Sequence, residues 1–171
     1  GDLTMIFEMD ENHLKTQESW NFYNESGKRI SAKSLVFPLP PDTRRISVDE
    51  AVKGFKAAED GSQIYATADL GPGQSGLSGA YLMPREGSTA LHARTIPVHL
   101  QGIRVIIENV DGLKLETNVS QESRVRELNG LEFIVYDLGA VKAGQTLSLK
   151  FTGLPGHKTW PRNVAVALAL G

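Results

Sequence analysis

One passage occurs twice in the chain, in similar forms, and it limits the folds that the chain can adopt. The first copy spans residues 69–84 and the second spans residues 137–155. Each begins Asp-Leu-Gly, passes a Gly-Gln-Ser or Gly-Gln-Thr turn, continues as a strand-like run with Leu, Ser and an aromatic residue, and ends at proline. Because a repeated pattern indicates a repeated structural unit, we expect two β units of similar build.

Hydrophobic residues elsewhere recur mainly at every second position, which is the period of a β-strand. Trp20 and Phe22 fall on one face of such a run, so both are predicted to lie in the core. The segment 98–107 is the richest in β-branched residues and is predicted to be a central strand. Pro38 and Pro40 cannot donate to a ladder, so they mark a strand end or a sheet edge.

These patterns predict an all-β protein with antiparallel sheets, built as two Ig-like or transthyretin-like β-sandwich units. The first unit is placed at residues 1–87, the second at 88–158, and a tail at 159–171. Segment 49–61 starts with acidic residues and ends at a glycine, which favours one or two helical turns, with a loop or a strand as the alternative.

Charge and cysteine content exclude several classes of function. The net charge is −2, so the chain has no basic excess with which to neutralise phosphates, and we expect no nucleic-acid partner. The sequence contains no cysteine, which removes disulfides, thiolate nucleophiles and cysteine metal sites together.

The last eight residues, 164–171, form an uncharged and wholly apolar run. A helix needs about 20 such residues to span a bilayer, so this run alone is too short. Trp160 and Arg162 just before it are residue types common at a membrane interface. Two interpretations stay open: a final core strand, or the start of a transmembrane helix that continues past this fragment, which we favour.

The first copy of the repeat also matches the pattern G-x-G-x-x-G at residues 71–76. That motif binds a pyrophosphate when a helix follows the glycines. The residues that follow lack a helical pattern, and the second copy lacks the spacing, so we expect a turn and no nucleotide. Asp69 and Asp137 occupy matching places in the two copies and are predicted to make local hydrogen bonds that fix their turns.

Metal ligands are sparse in the sequence. The four histidines form no H-x-x-x-H pair, and a zinc or copper site needs three or four convergent ligands. A metal-dependent enzyme would require His92, His99 and a carboxylate to converge. The acidic pairs at 49–50 and 59–60 lack a D-x-D-x-D-G calcium loop. We therefore predict no enzyme, no catalytic, metal or cofactor-binding residue, and no cofactor.

Exposed aromatic side chains would favour another function, because their rings can stack against sugars. Five aromatic residues are candidates for such a platform, although the first two alternate like core residues: Trp20, Phe22, Tyr23, Tyr65 and Trp160. They support, as an alternative, a carbohydrate-binding or adhesion module attached to a larger enzyme.

Several short motifs follow one another in an order that resembles a known group of proteins. The motifs lie at residues 20–27, 35–40, 70–75, 81–84, 143–148 and 153–157. Their order is similar to that of bacterial exported, membrane-anchored β-sandwich proteins of uncharacterised function, often described as carboxypeptidase-regulatory-like or transthyretin-like. That resemblance implies an exported β region followed by a membrane helix starting near Val164, and it implies no site residues.

The resemblance and the composition together predict a non-enzymatic function. We expect the extracytoplasmic region of a bacterial membrane-anchored protein that acts as a binding or assembly module. Its location would be the periplasmic or extracellular side of a bacterial membrane, reached through a segment C-terminal to this fragment. Its partner would be a protein or a glycan of the cell envelope.

Overall fold

The computed structural model describes residues 1–49 and 54–156, and within them it confirms the predicted all-β class. A short 3-10 helix, Ala32–Ser34, accompanies the strands. The strands of the described part are β1 (Asp2–Met9), β2 (His13–Asn24), β3 (Val36–Pro38), β4 (Arg44–Val48), β5 (Phe55–Ala57), β6 (Gln63–Ala66), β7 (Gly73–Pro84), β8 (Ala90–Thr95), β9 (Gly102–Glu108), β10 (Lys114–Thr117), β11 (Gln121–Leu128), β12 (Leu131–Leu138) and β13 (Thr146–Thr152).

A seven-stranded sheet forms one layer, in the order β11-β12-β9-β1-β2-β7-β4. Strand β1 pairs antiparallel with β2 and parallel with β9, so this sheet joins strands from both halves of the sequence. Strand β9 lies between β12 and β1, which confirms the predicted central strand. Its Val105 and Ile107 are fully buried, as expected for a β-branched run inside a sheet.

Two three-stranded sheets form the facing layer, in the orders β10-β13-β8 and β3-β6-β5. Aromatic contacts join each of them to the large sheet. The ring centroids of Phe7 and Phe151 are 5.0 Å apart, and those of Trp20 and Phe37 are 4.9 Å apart. Both small sheets share one hydrophobic core with the large sheet, which agrees with a β-sandwich. Trp20 and Phe22 are buried in that core, as predicted.

Strands from both sides of residue 87 contribute to the large sheet and to the common core. Neither the sheet nor the core of the described residues marks a boundary between two units, so the unit boundaries proposed at residues 87 and 158 stay a prediction. The two copies of the repeated passage occupy different places in the fold. The first leads from a loop at Asp69 into β7 of the large sheet, whereas the second starts in β12 and ends in β13 of a small sheet.

Other local predictions have clear outcomes. Residues 55–57 form strand β5, so the helical interpretation of segment 49–61 is wrong there and the strand alternative holds. Residues 50–53 lie outside the described part.

Pro38 ends β3, which is an edge strand, as predicted. Gly73 has a φ of 109° and opens strand β7, so no helix follows the G-x-G-x-x-G match.

Arg85 holds together three segments at one end of the sandwich. Its side chain donates hydrogen bonds to the carbonyl oxygens of Gly87 at 2.9 Å, Asp10 at 2.7 Å and Pro155 at 2.6 Å. The turn after β1, the loop after β7 and the chain after β13 are thereby fixed to one another.

Among residues 1–49 and 54–156, no helix is long and apolar enough to cross a membrane. The apolar run at 164–171, to which both interpretations of the C-terminus apply, lies outside the described residues.

Candidate functional site

Polar side chains lie in the middle of the core, where β2, β7 and β8 face one another. Alternation along β2 places Glu18 on the same face as Trp20, between the two layers. Tyr81 of β7 and His92 and Arg94 of β8 meet it there. All five side chains are buried, with relative exposures from 0% for His92 to 4% for Glu18 and Arg94. We call these five residues the buried polar cluster.

The Glu18 carboxylate is the centre of this cluster. Its Oε1 accepts a hydrogen bond from Trp20 Nε1 at 3.0 Å. Its Oε2 accepts hydrogen bonds from the Tyr81 hydroxyl and from Arg94 Nη1. Three donors from three strands therefore converge on one carboxylate, and one of them carries the compensating positive charge. Hydrogen bonds of this number and charge offset the cost of removing a carboxylate from water.

Arg94 makes a second favourable contact through its planar group. Its guanidinium carbon lies 5.2 Å from the centroid of the Trp20 ring, in cation–π geometry. Its Nε and Nη2 atoms are buried and have no hydrogen-bond partner among the described residues. Glu18 and Trp20 therefore stabilise the buried positive charge of Arg94, and the loss of either side chain would leave that charge poorly compensated.

His92 and Tyr81 are both held in their neutral forms. Burial, with a further contribution from the Arg94 charge, places the pKa of His92 well below its usual value. Burial and the nearby Glu18 carboxylate raise the pKa of Tyr81 well above its usual range. The Tyr81 hydroxyl oxygen lies 3.5 Å from His92 Nδ1, and Phe7 covers the imidazole edge-on. The cluster therefore joins the sheets and, at under 5% exposure, offers no route for a substrate.

The two histidines proposed for a metal site are not brought together. His92 faces the core, whereas His99 is exposed and its carbonyl oxygen accepts a hydrogen bond from the Gly1 amino group at 3.3 Å. Within the described ranges, no three His, Asp or Glu side chains are placed to hold a metal ion.

Three of the acidic residues singled out in the sequence, Asp60, Asp69 and Asp137, have partners in the described structure. Asp60 accepts hydrogen bonds from the backbone and hydroxyl of Ser62, and these bonds lower its pKa.

The prediction that Asp69 and Asp137 make local hydrogen bonds within their turns is wrong. Asp69 accepts from the distant Ala32 backbone N–H at 2.8 Å, and Asp137 lies within β12. There the Asp137 carboxylate binds the guanidinium groups of two neighbouring strands, from Arg104 and Arg124.

The five aromatic residues do not form one exposed row in the described structure. Trp20 and Phe22 are buried, Tyr23 is exposed, Tyr65 is half-buried, and Trp160 lies outside the described residues. A sugar platform that depends on the first two residues is therefore ruled out by their burial.

An open groove lies on the outer face of the large sheet. It encloses about 470 Å³ over strands β1, β2, β7 and β4. Its lining is mainly neutral: Thr4, Ile6, Gln17, Ser19, Asn21, Ser47, Val48, Ser78, Gly79 and Ala80, with Asp49 at one end. Glu18 also borders this groove, although its carboxylate is turned to the core. We call this cavity the outer groove.

The outer groove arises from small side chains at neighbouring positions. Ser19 of β2 lies opposite Ser78 of β7 and Thr4 of β1, so three hydroxyl groups follow one row across the sheet. Ser47 of β4 lies opposite Ala80 in the next row. Short side chains here leave space above the sheet, and the described lining contains no cationic side chain. Such a surface suits a neutral ligand that both donates and accepts hydrogen bonds.

Sequence patterns could have revealed part of the buried polar cluster. Glu18 alternates with Trp20 and Phe22 in a strand-like run, which places a carboxylate on a core face. His92 and Arg94 share one face of β8 in the same way. A charged residue at a core position predicts an oppositely charged partner, but the sequence does not say which strand supplies it.

No family model matches the chain, and a search of the curated proteins gives no match either.

The buried ion pair gives a direct prediction. Glu18→Ala should lower the free energy of unfolding by about 3–5 kcal/mol, because it leaves the Arg94 charge buried without its partner. Glu116→Ala on strand β10, where the side chain is exposed, is the matched control and should change it by less than about 0.5 kcal/mol. Denaturant unfolding, followed by tryptophan fluorescence, measures both. Equal losses in the two variants would contradict the role of Glu18.

The neutral state of His92 predicts how stability depends on pH. The folded chain resists protonation of His92, whereas the unfolded chain binds that proton below the ordinary pKa of 6.5. Stability should therefore fall as pH decreases below 6.5, by up to about 1.4 kcal/mol per pH unit from this group. His92→Gln should remove that slope, while His99→Gln at an exposed site should retain it. An unchanged slope in His92→Gln would contradict the assignment.

Proposed function

We propose that this chain is the extracytoplasmic β-sandwich region of a bacterial membrane-anchored protein, and that it acts without catalysis as a binding or assembly module. The observation that carries this proposal is the contrast between the two polar regions of the described structure. The buried polar cluster is closed to substrates, whereas the outer groove is open and lies on a rigid sheet. This combination agrees with recognition by a surface that a rigid scaffold positions.

The chemistry of the buried polar cluster supports a scaffold role. A catalytic acid or base must reach a substrate atom and must change protonation near the working pH. His92 and Tyr81 are buried, and burial shifts their pKa values away from neutrality in the directions that keep both uncharged. Their contribution is therefore to hold β7 and β8 together across the core.

The outer groove supports the binding role. Its volume lies in the range of small-ligand sites, and its walls come from four strands of one sheet. Strands β2 and β7, which supply most of the lining, pair over twelve residues and so form a stiff floor. A ligand would meet a preformed surface, which lowers the entropic cost of association.

Support for membrane attachment comes from the sequence. The uncharged run at 164–171 follows Trp160 and Arg162, a pattern typical of an approach to a bilayer. We propose that a membrane segment includes or follows this run, so that the sandwich stands outside the cytoplasm with its groove free for a protein or glycan of the cell envelope.

Cell fractionation tests this proposal. The complete protein, with an epitope tag in a surface loop, is expressed in a bacterial host, and membranes are separated and washed with carbonate. We expect the protein to remain in the washed membrane and to be digested by protease added to spheroplasts. Cytoplasmic and periplasmic marker proteins serve as controls. Recovery in the soluble fraction, or protection inside intact spheroplasts, would contradict the proposed location.

The outer groove also favours the alternative function, a carbohydrate-binding or adhesion module attached to a larger enzyme. Sugar hydroxyl groups both donate and accept hydrogen bonds, as do the serine, threonine, asparagine and glutamine side chains of the lining. Thr4, Ser19 and Ser78 have no side-chain hydrogen-bond partner within the described structure, so a ligand could bind them without breaking an internal bond.

A matched pair of variants tests the carbohydrate alternative. Ser78→Arg fills the outer groove, so it should weaken binding to insoluble polysaccharides by at least about tenfold, which corresponds to 1.4 kcal/mol. Ser148→Arg makes the same substitution on β13, away from the groove, and should leave binding unchanged. Pull-down with peptidoglycan, cellulose, xylan and chitin provides the measurement. Absence of binding to all four, or equal binding by both variants, would contradict this alternative.

A further inference from the structure

Strand β11 is an open edge of the seven-stranded sheet. In the described part of the chain it pairs only with β12, and residues 121–127 are all exposed. Val125 is one of three large hydrophobic residues that the described structure leaves exposed, at 55%. A free edge of eight residues presents backbone donors and acceptors that can pair with another strand.

The charges on β11 are arranged to be complementary to the same strand running the other way. Glu122, Arg124 and Arg126 share the outer face, because residues two apart on a strand point to the same side. In an antiparallel pair centred on Arg124, Glu122 of each copy lies opposite Arg126 of the other. Two opposite-charge pairs form by symmetry, as an isologous interface requires.

The central position of this pairing is also compatible with its charges. Arg124 of each copy would lie opposite Arg124 of the other, which alone would be unfavourable. Each of these guanidinium groups, however, already binds the Asp137 carboxylate on β12, which offsets part of this repulsion even though Arg104 shares that carboxylate. On the other face, Ser123 would lie opposite Val125, so pairing would cover the exposed valine.

Three neighbouring registers fit less well. A pairing centred on Ser123 would also place Glu122 opposite Arg124, but it would align only residues 121–125 of the strand. A pairing centred on Val125 would place Arg124 opposite Arg126, which brings like charges together. A shift by a single residue would place Glu122 opposite Glu127 and would join the outer face of one sheet to the core face of the other. The register centred on Arg124 aligns seven residues, 121–127, and keeps the two outer faces on one side.

We propose that β11 is a self-pairing edge through which two copies of this chain associate, antiparallel and in the register centred on Arg124. This inference goes beyond the proposed function and does not depend on the outer groove or on the membrane segment. Because one strand pair buries less area than a standard interface, the dimer should be weak and should form in a concentration-dependent way. Exposed ion pairs should make it weaker at high salt.

Charge reversal gives a test that also fixes the register. Glu122→Arg and Arg126→Glu each replace two opposite-charge pairs by two like-charge pairs, so each variant alone should dimerise at least about tenfold more weakly, or by 1.4 kcal/mol. The double variant restores both pairs and should dimerise like the original chain. An equimolar mixture of the two single variants should also associate. In the mixed dimer the introduced arginine of one variant lies opposite the introduced glutamate of the other, and the two unchanged charges also form an opposite-charge pair.

Sedimentation equilibrium of the 171-residue chain, up to about 1 mM, measures these associations. Lys150→Glu, an exposed charge reversal on β13, is the control and should have no effect. Near-UV circular dichroism confirms that every variant keeps its fold. A monomeric original chain at the highest concentration would overturn the proposal. So would a dimer that is insensitive to Glu122→Arg and Arg126→Glu, or a mixture of the two single variants that stays monomeric.

Discussion

The ion pair between Glu18 and Arg94 is the interaction on which the rest of the structure depends. Glu18 belongs to the large sheet and Arg94 to a small sheet, so one buried contact joins the two layers and also the two halves of the sequence. Tyr81 and Trp20 complete the hydrogen bonds of the carboxylate. Because a buried charge without its partner is costly, this contact fixes how β8 is placed against β2.

The buried polar cluster and the outer face of the large sheet differ in their chemistry. Glu18, Tyr81 and His92 contact one another in the core, whereas neutral hydroxyl and amide side chains line most of the groove on the outer face of the large sheet. The same sheet ends at β11, whose exposed charges differ from the neutral groove. One sheet thus carries two distinct surfaces, one suited to a neutral ligand and one to another strand.

Strand periodicity predicts much of this fold but little of its chemistry. Alternation identified Trp20 and Phe22 as core residues, and β-branched content identified the central strand β9, because both signals are local. The parallel pairing of β1 with β9 joins residues about a hundred positions apart, and no local pattern encodes it. The Glu18–Arg94 pair joins β2 to β8 and the outer groove spans β1, β2, β7 and β4, so both depend on tertiary contacts and the sequence predicted neither. Asp69 and Asp137 illustrate the same limit, since matching sequence contexts led to different partners.

Hydrogen exchange of the backbone amides is the most direct test of this account, because it measures the free energy at which each strand opens. If the buried ion pair joins the two layers into one cooperative core, the amides of β2 and β8 should exchange with the same free energy, equal to that of global unfolding. Glu18→Ala should lower both values together. Separate values for residues 1–87 and 88–156, unaffected by that substitution, would contradict the central role of the Glu18–Arg94 contact.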